Sequence, residues 1–242
     1  MTQPFTPPTR PIAAGSHAHG TSHAHHQRPV EVEGPLTTSK RMKDECWDLH
    51  QSAEAGRIAR AMIEGTLTKE HYVDMLGQMY AAARVLDPLV AEARATVPAL
   101  AALVDDTQMQ APYLRQDLVF FGVDPDGVVP RAGARHLIDT ARRLARENPL
   151  ALLGLHYVRE GANNGNRYVA KKLRLVYEMP GESGFKHLDP YGSEQRPRWD
   201  RFKAALDAQP FTPTQQDELV AAGREMYKAI IGIHADVEAG AP

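Results

Sequence analysis

The sequence predicts an all-α protein, a single multi-helix bundle of roughly seven to nine helices. Three observations lead there. Apolar residues recur at the helical period in one stretch after another, no segment shows the apolar/polar alternation of a strand, and no internal repeat divides the chain. With 242 residues, 43% of them hydrophobic, the chain can bury one substantial core and is expected to form one domain.

Residues 1–36 stand apart from that domain. Prolines at 4, 7, 8, 11, 29 and 35 and few large apolar groups leave too little burial to offset ordering entropy, so this is read as a disordered, His/Pro-rich arm ahead of a helical domain at 37–242. Ser39 is expected to cap a helix running through Met42, Cys46, Leu49 and Ala53, ending near Gly56 or continuing into 58–62. After Thr68-Lys69-Glu70, the residues Tyr72, Met75, Leu76, Met79, Tyr80 and Ala83 trace a second helical stripe, with Pro88 and Pro98 marking a kink or break. Ala111-Pro112 opens a short segment that ends at the turn-rich residues 123–127. Helical patterns follow at 131–146 and 150–177, the latter interrupted by Gly161-Ala162-Asn163-Asn164-Gly165-Asn166. Residues 179–198 carry Pro, Gly and Ser with little periodicity and read as a long surface loop, before helices at 197–208 and 213–238.

Composition removes several classes of function. A formal charge of −2 with dispersed basic residues offers no footprint for nucleic acid. The single cysteine, Cys46, excludes a disulfide framework and all-cysteine metal sites, which suits a reducing compartment and predicts a cytoplasmic protein; the thiol itself reads as a small buried hydrophobe. No apolar run approaches the ~18 residues that would predict a membrane span.

The chemistry-bearing pattern centres on His50. At helical spacing Glu54 lies one turn on, where its carboxylate can accept the second imidazole N–H and fix the tautomer. Lys43 lies seven residues back, about 10 Å along the axis on the same face. An imidazole backed by a carboxylate, with a cation two turns away, suits a flat iron-centred ligand carrying carboxylates; an ordinary surface helix has the same pattern. The second element is the glycine pair 161/165. Two glycines inside a long helical pattern cost about 1 kcal/mol each relative to alanine, which points to close approach of a neighbouring helix or a ligand, or to a helix-ending turn.

These two elements, about 110 residues apart, resemble the haem oxygenase family. Leu49-His50-Gln51-Ser52-Ala53-Glu54 is similar to the family's proximal pattern, Leu114-Arg115-Gln116-Asp117-Leu118 through Gly122 to a second stretch, Tyr157-Val158-Arg159-Glu160-Gly161 to the entry of the distal helix, and Trp199 with Phe202-Lys203 to a segment near the end. The resemblance covers residues 40–238 and implies a bundle of the haem-oxygenase type. It implies that His50 is the axial iron ligand with Glu54 as its hydrogen-bonding partner, that Lys43, Tyr157 and Lys203 hold the haem propionates, and that Gly161 and Gly165 are the distal glycines. Many members carry an aspartate on the distal helix to organise water. Here Ala162 or Asn163 occupies that place, so the resemblance moves the role to Asn163, Asn164, Asn166 or Arg159.

The activity so implied is oxidative opening of haem to biliverdin with release of iron and carbon monoxide, haem being both cofactor and substrate. Oxygen and external electrons are required. No nucleotide-binding fingerprint is present, so electrons are expected from a ferredoxin or an NAD(P)H-dependent reductase. Two other readings stand beside it: a haem-binding carrier or sensor on the same fold, and a metal-dependent oxidase of the wider superfamily built on several inward carboxylates and histidines. His17, His19, His23, His25 and His26 of the arm have a composition suited to zinc, nickel or copper, or to weak haem capture. His156, His187 and His234 are isolated in the sequence and are assigned no role.

Overall fold

Thr37, rather than Ser39, starts the first helix. In the computed structural model, which describes residues 36–179 and 181–240, Thr37 is extended (φ −64°, ψ 156°) and its hydroxyl accepts the Lys40 N–H at 3.4 Å. Ser39 lies inside the helix, where its N–H and its hydroxyl both donate to the Asp207 carboxylate at 2.7 Å. The expected single helix is three: α1 (Thr38–Glu45), α2 (Trp47–Ala55) and α3 (Arg57–Glu64). Cys46 (φ −103°, ψ 1°) steps the chain between the first two, and extended Gly56 (φ −60°, ψ 151°) separates the third. Lys43 and His50 therefore sit on successive helices, not on one continuous face. The His50 N–H still reaches the Cys46 carbonyl at 2.9 Å across that step. Residues 1–35 of the arm, with its five histidines, lie outside the described residues.

Helix α4 (Lys69–Ala93) is capped by Thr68 and continues through Pro88 without a break. An interior proline costs about 3 kcal/mol. Leu86 and Val90, fully buried on either side of it, supply the packing that outweighs this cost. The chain breaks instead at 94–97, and Pro98 opens α5 (Pro98–Leu103) in the first turn, where its missing N–H is harmless. Then come α6 (Ala111–Phe120) and α7 (Ala132–Glu147).

Helix α8 (Leu152–Val176) is one uninterrupted helix through Gly161–Asn166, correcting the expected interruption. Its buried residues, Leu152 to Glu160 on one side of the glycines and Val169, Ala170 and Leu173 on the other, anchor both halves in the core and carry the helix across. The segment 179–198 is likewise not a surface loop. Phe185, His187 and Leu188 are buried in it: Tyr72 stacks on Phe185 at 5.3 Å and donates to the Gly184 carbonyl at 2.9 Å, and the Asp117 carboxylate accepts the Lys186 and His187 N–H groups at 2.8 and 2.9 Å. Helices α9 (Gln195–Asp207) and α10 (Pro213–Glu238) complete the bundle, giving ten α-helices and no strand among the described residues.

Helix α10 is the spine. Gly154 of α8 and Gly133 of α7 let it approach at backbone distance: a Cβ at Gly154 would stand 2.2 Å from the Leu219 carbonyl oxygen, and one at Gly133 would stand 2.2 Å from the Ile233 nitrogen. On its other side α1, α2 and α3 run parallel to it. Arg41 pairs with Asp217, Cys46 lies 3.8 Å from the Val220 carbonyl, Asp48 pairs with Arg224, and Arg57 pairs with Glu238. Between α1–α3 and α8, with α4 and α10 as walls, the bundle encloses a cavity of about 930 Å3.

Candidate functional site: a cavity between His50 and the glycines of α8

His50 lines this cavity from α2. Its ring stacks on Trp47 (centroids 5.1 Å apart, 11° between planes) and meets the edge of Tyr227 of α10 at 5.6 Å, so aromatic packing from two helices sets its plane. Nδ1 is buried without a hydrogen bond, and the Glu54 carboxylate lies 3.7 Å from it, one side-chain adjustment short of accepting a proton. A proton held on Nδ1 toward Glu54 leaves the Nε2 lone pair for a metal.

The cavity is electrically lopsided. Its cations lie on α1 (Lys40, Lys43), α9 (Arg196, Lys203) and α8 (Arg159), while the walls from α3, α4 and α7 carry no charged residue. Lys43 and Lys203 both line the cavity. The Lys203 ammonium lies 3.1 Å from Asp200 and 5.7 Å above the Trp199 ring. Tyr157 is buried in the wall against Trp199, and its hydroxyl donates to the Ser39 carbonyl at 3.1 Å; burial pushes its pKa up, so it stays a neutral donor. Lys40, Arg196 and His234 also line the cavity and were not singled out in the sequence. Lys40 was within reach of the helical argument, three residues before Lys43 on the same helix. Arg196 and His234 had no such signal.

On the opposite wall α8 presents Gly161, Ala162, Asn164, Gly165 and Asn166. A Cβ at Gly165 would meet nothing within 4 Å, whereas one at Gly161 would press on the Trp199 ring at 3.3 Å. Gly165 thus keeps the cavity open, and Gly161 seats α9. Asn163 does not line the cavity. It is buried on the back of α8 with both amide atoms unpartnered, because successive helical residues are rotated by about 100°. Arg159 reaches the cavity wall, but its guanidinium is engaged behind it: one nitrogen bonds Asp87 at 2.5 Å and another meets His156 Nδ1 at 3.1 Å. Burial, with Arg159 beside it, holds the His156 pKa well below its ordinary value, so the imidazole is neutral and its Nδ1 accepts.

One residue further along α8, Glu160 is buried and accepts the Tyr191 hydroxyl at 3.2 Å. Burial raises its pKa from 4.5 to about 7. The folded protein therefore holds a proton that the unfolded chain has lost between these values, and stability contributed by the protonated acid falls as pH rises from about 4.5 to 7. Glu160→Gln is expected to flatten the pH dependence of thermal unfolding in that window. An unchanged slope would show that Glu160 does not titrate there.

An all-α bundle that opens one large cavity between a histidine-bearing helix and a glycine-bearing helix defines a haem-oxygenase-type architecture. The family model described as Heme oxygenase matches residues 36–235, and the chain belongs to the haem oxygenase family. Among solved structures it is similar to haem oxygenase from Leptospira interrogans (18% identity, TM-score 0.77, covering 83% of this chain and 100% of that one). It is also similar to haem oxygenase-1 from the cyanobacterium Synechocystis sp. in complex with haem (17% identity, TM-score 0.76, 84% and 93% covered). A domain of unknown function with a haem-oxygenase-like fold from Shewanella denitrificans matches as well (14% identity, TM-score 0.68, 85% and 94% covered). These likenesses establish the fold. A search of curated proteins gives no match. No described helix is long and apolar enough to cross a membrane.

Proposed function

We propose that this protein is a haem oxygenase that opens haem to biliverdin, releasing iron and carbon monoxide, with oxygen and with electrons from a separate ferredoxin or NAD(P)H-dependent reductase. The observation that carries this reading is that His50 and Gly165 face each other's cavity from α2 and α8, with an imidazole on one wall and open space where a side chain would otherwise stand on the other. The residues fit the group: a buried, unbonded Nδ1 on His50, an apolar interior and a cationic rim. Haem, when bound, supplies the iron at which oxygen is activated. His50 ligates it through Nε2, with Glu54 holding the Nδ1 proton. Lys43 and Lys203, joined by Lys40 and Arg196, pair with its carboxylates and fix its rotation; Tyr157 shapes the wall beside them. Asn164 and Asn166, which line the cavity, organise distal water in place of Asn163, and Arg159 holds α8 from behind. The buried, reduced Cys46 accords with a cytoplasmic location.

A second reading, a haem carrier or sensor, is favoured by one feature: no residue of α8 that lines the cavity is a carboxylate. The metal-dependent oxidase reading finds no support, since no group of three or more His, Cys, Asp or Glu among the described residues is placed to hold a metal ion. Reconstitution with haem, followed by reductant in the presence of catalase, separates the first two. Loss of the Soret band with appearance of biliverdin supports the oxygenase, a persistent ferrous or oxygenated band supports the carrier, and absence of any Soret shift overturns both.

Gly165 gives a further check. Gly165→Ala adds a methyl that touches nothing and removes a helix-interior glycine, so it is expected to raise stability by about 0.5–1 kcal/mol. Gly165→Leu places its bulk in the cavity and should weaken haem binding about tenfold, roughly 1.4 kcal/mol, in a spectral titration. Unchanged haem affinity in the leucine variant would remove α8 from the haem contact.

A further inference from the structure

Four cations line the cavity from α1 and α9, and three of them already hold a carboxylate of the protein itself. Lys40 bonds Asp44 at 2.5 Å, one turn further along α1. Asp200 takes both α9 cations, Arg196 through Nε at 2.8 Å and Lys203 through Nζ at 3.1 Å. Lys43 is the exception, since no carboxylate among the described residues pairs with it.

Helical spacing gives Asp200 its double contact: it follows Arg196 by four residues and precedes Lys203 by three, on adjoining turns of one helix. Arg196, Trp199 and Lys203 line the cavity, and Asp200 does not. Hydrogen bonds from Arg196 and then from Lys203 hold its carboxyl below the ordinary carboxylate range, so it is ionised at neutral pH. A ligand carboxylate that reaches Arg196 or Lys203 therefore meets a resident competitor, whereas one that reaches Lys43 meets none. Ion pairs as exposed as these are weak and exchange readily. The Trp199 ring, 5.7 Å below the Lys203 ammonium, keeps that cation in place while its partner changes.

We propose that Asp200 is a positioning residue that sets the strength of the α9 contact: its carboxylate holds Arg196 and Lys203 in the free protein and yields them when a carboxylate-bearing tetrapyrrole binds. Lys43 then supplies the firm carboxylate contact and α9 an exchangeable one. This inference rests on the haem oxygenase reading. The test is spectral titration, without turnover, of ferric haem and of ferric haem dimethyl ester, which has no ionised carboxylate, into wild type and variants. Asp200→Asn should bind haem about fourfold more tightly, the size of the repulsion between two like unit charges a few ångströms apart in water, and the ester no differently. Asp200→Glu keeps the charge and should match wild type for both ligands. Lys43→Met should weaken haem binding more than Lys203→Met does. Melting should show Asp200→Asn folded, because the pairs it loses are exposed and lie within one helix.

Unchanged or weaker haem binding by Asp200→Asn, or an equal gain for haem and its ester, overturns the inference while leaving haem binding at His50 standing. So does a gain that persists at about 1 M salt, where exposed charges are screened, and so does a larger loss in Lys203→Met than in Lys43→Met. Wild type that binds neither ligand overturns the haem oxygenase reading along with it.

Discussion

His50→Ala is expected to abolish the histidine-ligated spectrum of the reconstituted protein and to lower biliverdin formation by at least ~100-fold. Loss of a metal's hydrogen-bonding partner alone costs roughly 10–100-fold in affinity or activity, so loss of the ligand itself belongs at or beyond the top of that range. The cavity remains after the substitution, because its walls come from seven other helices. Added imidazole should therefore re-enter and restore part of the axial spectrum. Glu54→Gln provides the graded companion. Its carboxylate is exposed and 3.7 Å from Nδ1, so its effect should fall near the lower end, about tenfold. An axial spectrum that survives His50→Ala without imidazole would assign the iron to another side chain.

The largest effect on stability is expected at Arg159. Its ion pair with Asp87 is buried at both ends, with side-chain exposures of 4% and 6%, and Asp87 also accepts the Ala111 N–H at 2.7 Å to fix the start of α6. Arg159→Met leaves a buried carboxylate with no counterion, a change worth about 3–5 kcal/mol. That is a large part of the roughly 5–15 kcal/mol that holds a domain together. For a chain of this size it corresponds to a fall in Tm of roughly 6–20 °C. The double variant Asp87→Asn/Arg159→Met removes both charges and keeps an acceptor for Ala111, so it should recover most of the loss. If Arg159→Met melts within 1 °C of wild type, about the resolution of the measurement, the pair is not what ties α8 to α4.

These two sites differ in how far they could be read without the structure. His50 stands in a local pattern, with Glu54 one helical turn away, and locality is what helical periodicity reports. Arg159 shows no local partner except His156. Its decisive contact, Asp87, is 72 residues away in sequence and reaches it only because the fold brings that residue of α4 within side-chain reach of α8. The same distinction explains the errors in the helix boundaries. Pro88 and the glycine pair 161/165 are local helix breakers by intrinsic preference, and both are overridden by burial of the residues flanking them. Residues 179–198 look like a loop because their three buried anchors, Phe185, His187 and Leu188, follow no period; they are held by Tyr72 and Asp117 from two other helices.

The sequence by itself determined the helical class, most of the helices to within a few residues, and the two motifs, around His50 and around Gly161 and Gly165, that line one cavity in the structure. Periodicity and short motifs are properties of neighbouring residues, and they survive in one dimension. Only the tertiary structure decided which side of α8 faces the cavity, and with it the exchange of Asn163 for Asn164 and Asn166. A rotation of about 100° per residue makes a one-residue register choice decisive, and packing against α10, α3 and α9 makes that choice. The structure also decided that His234, unremarkable in the chain, shares a cavity with His50, because α10 runs parallel to α2 and α3 and carries it there.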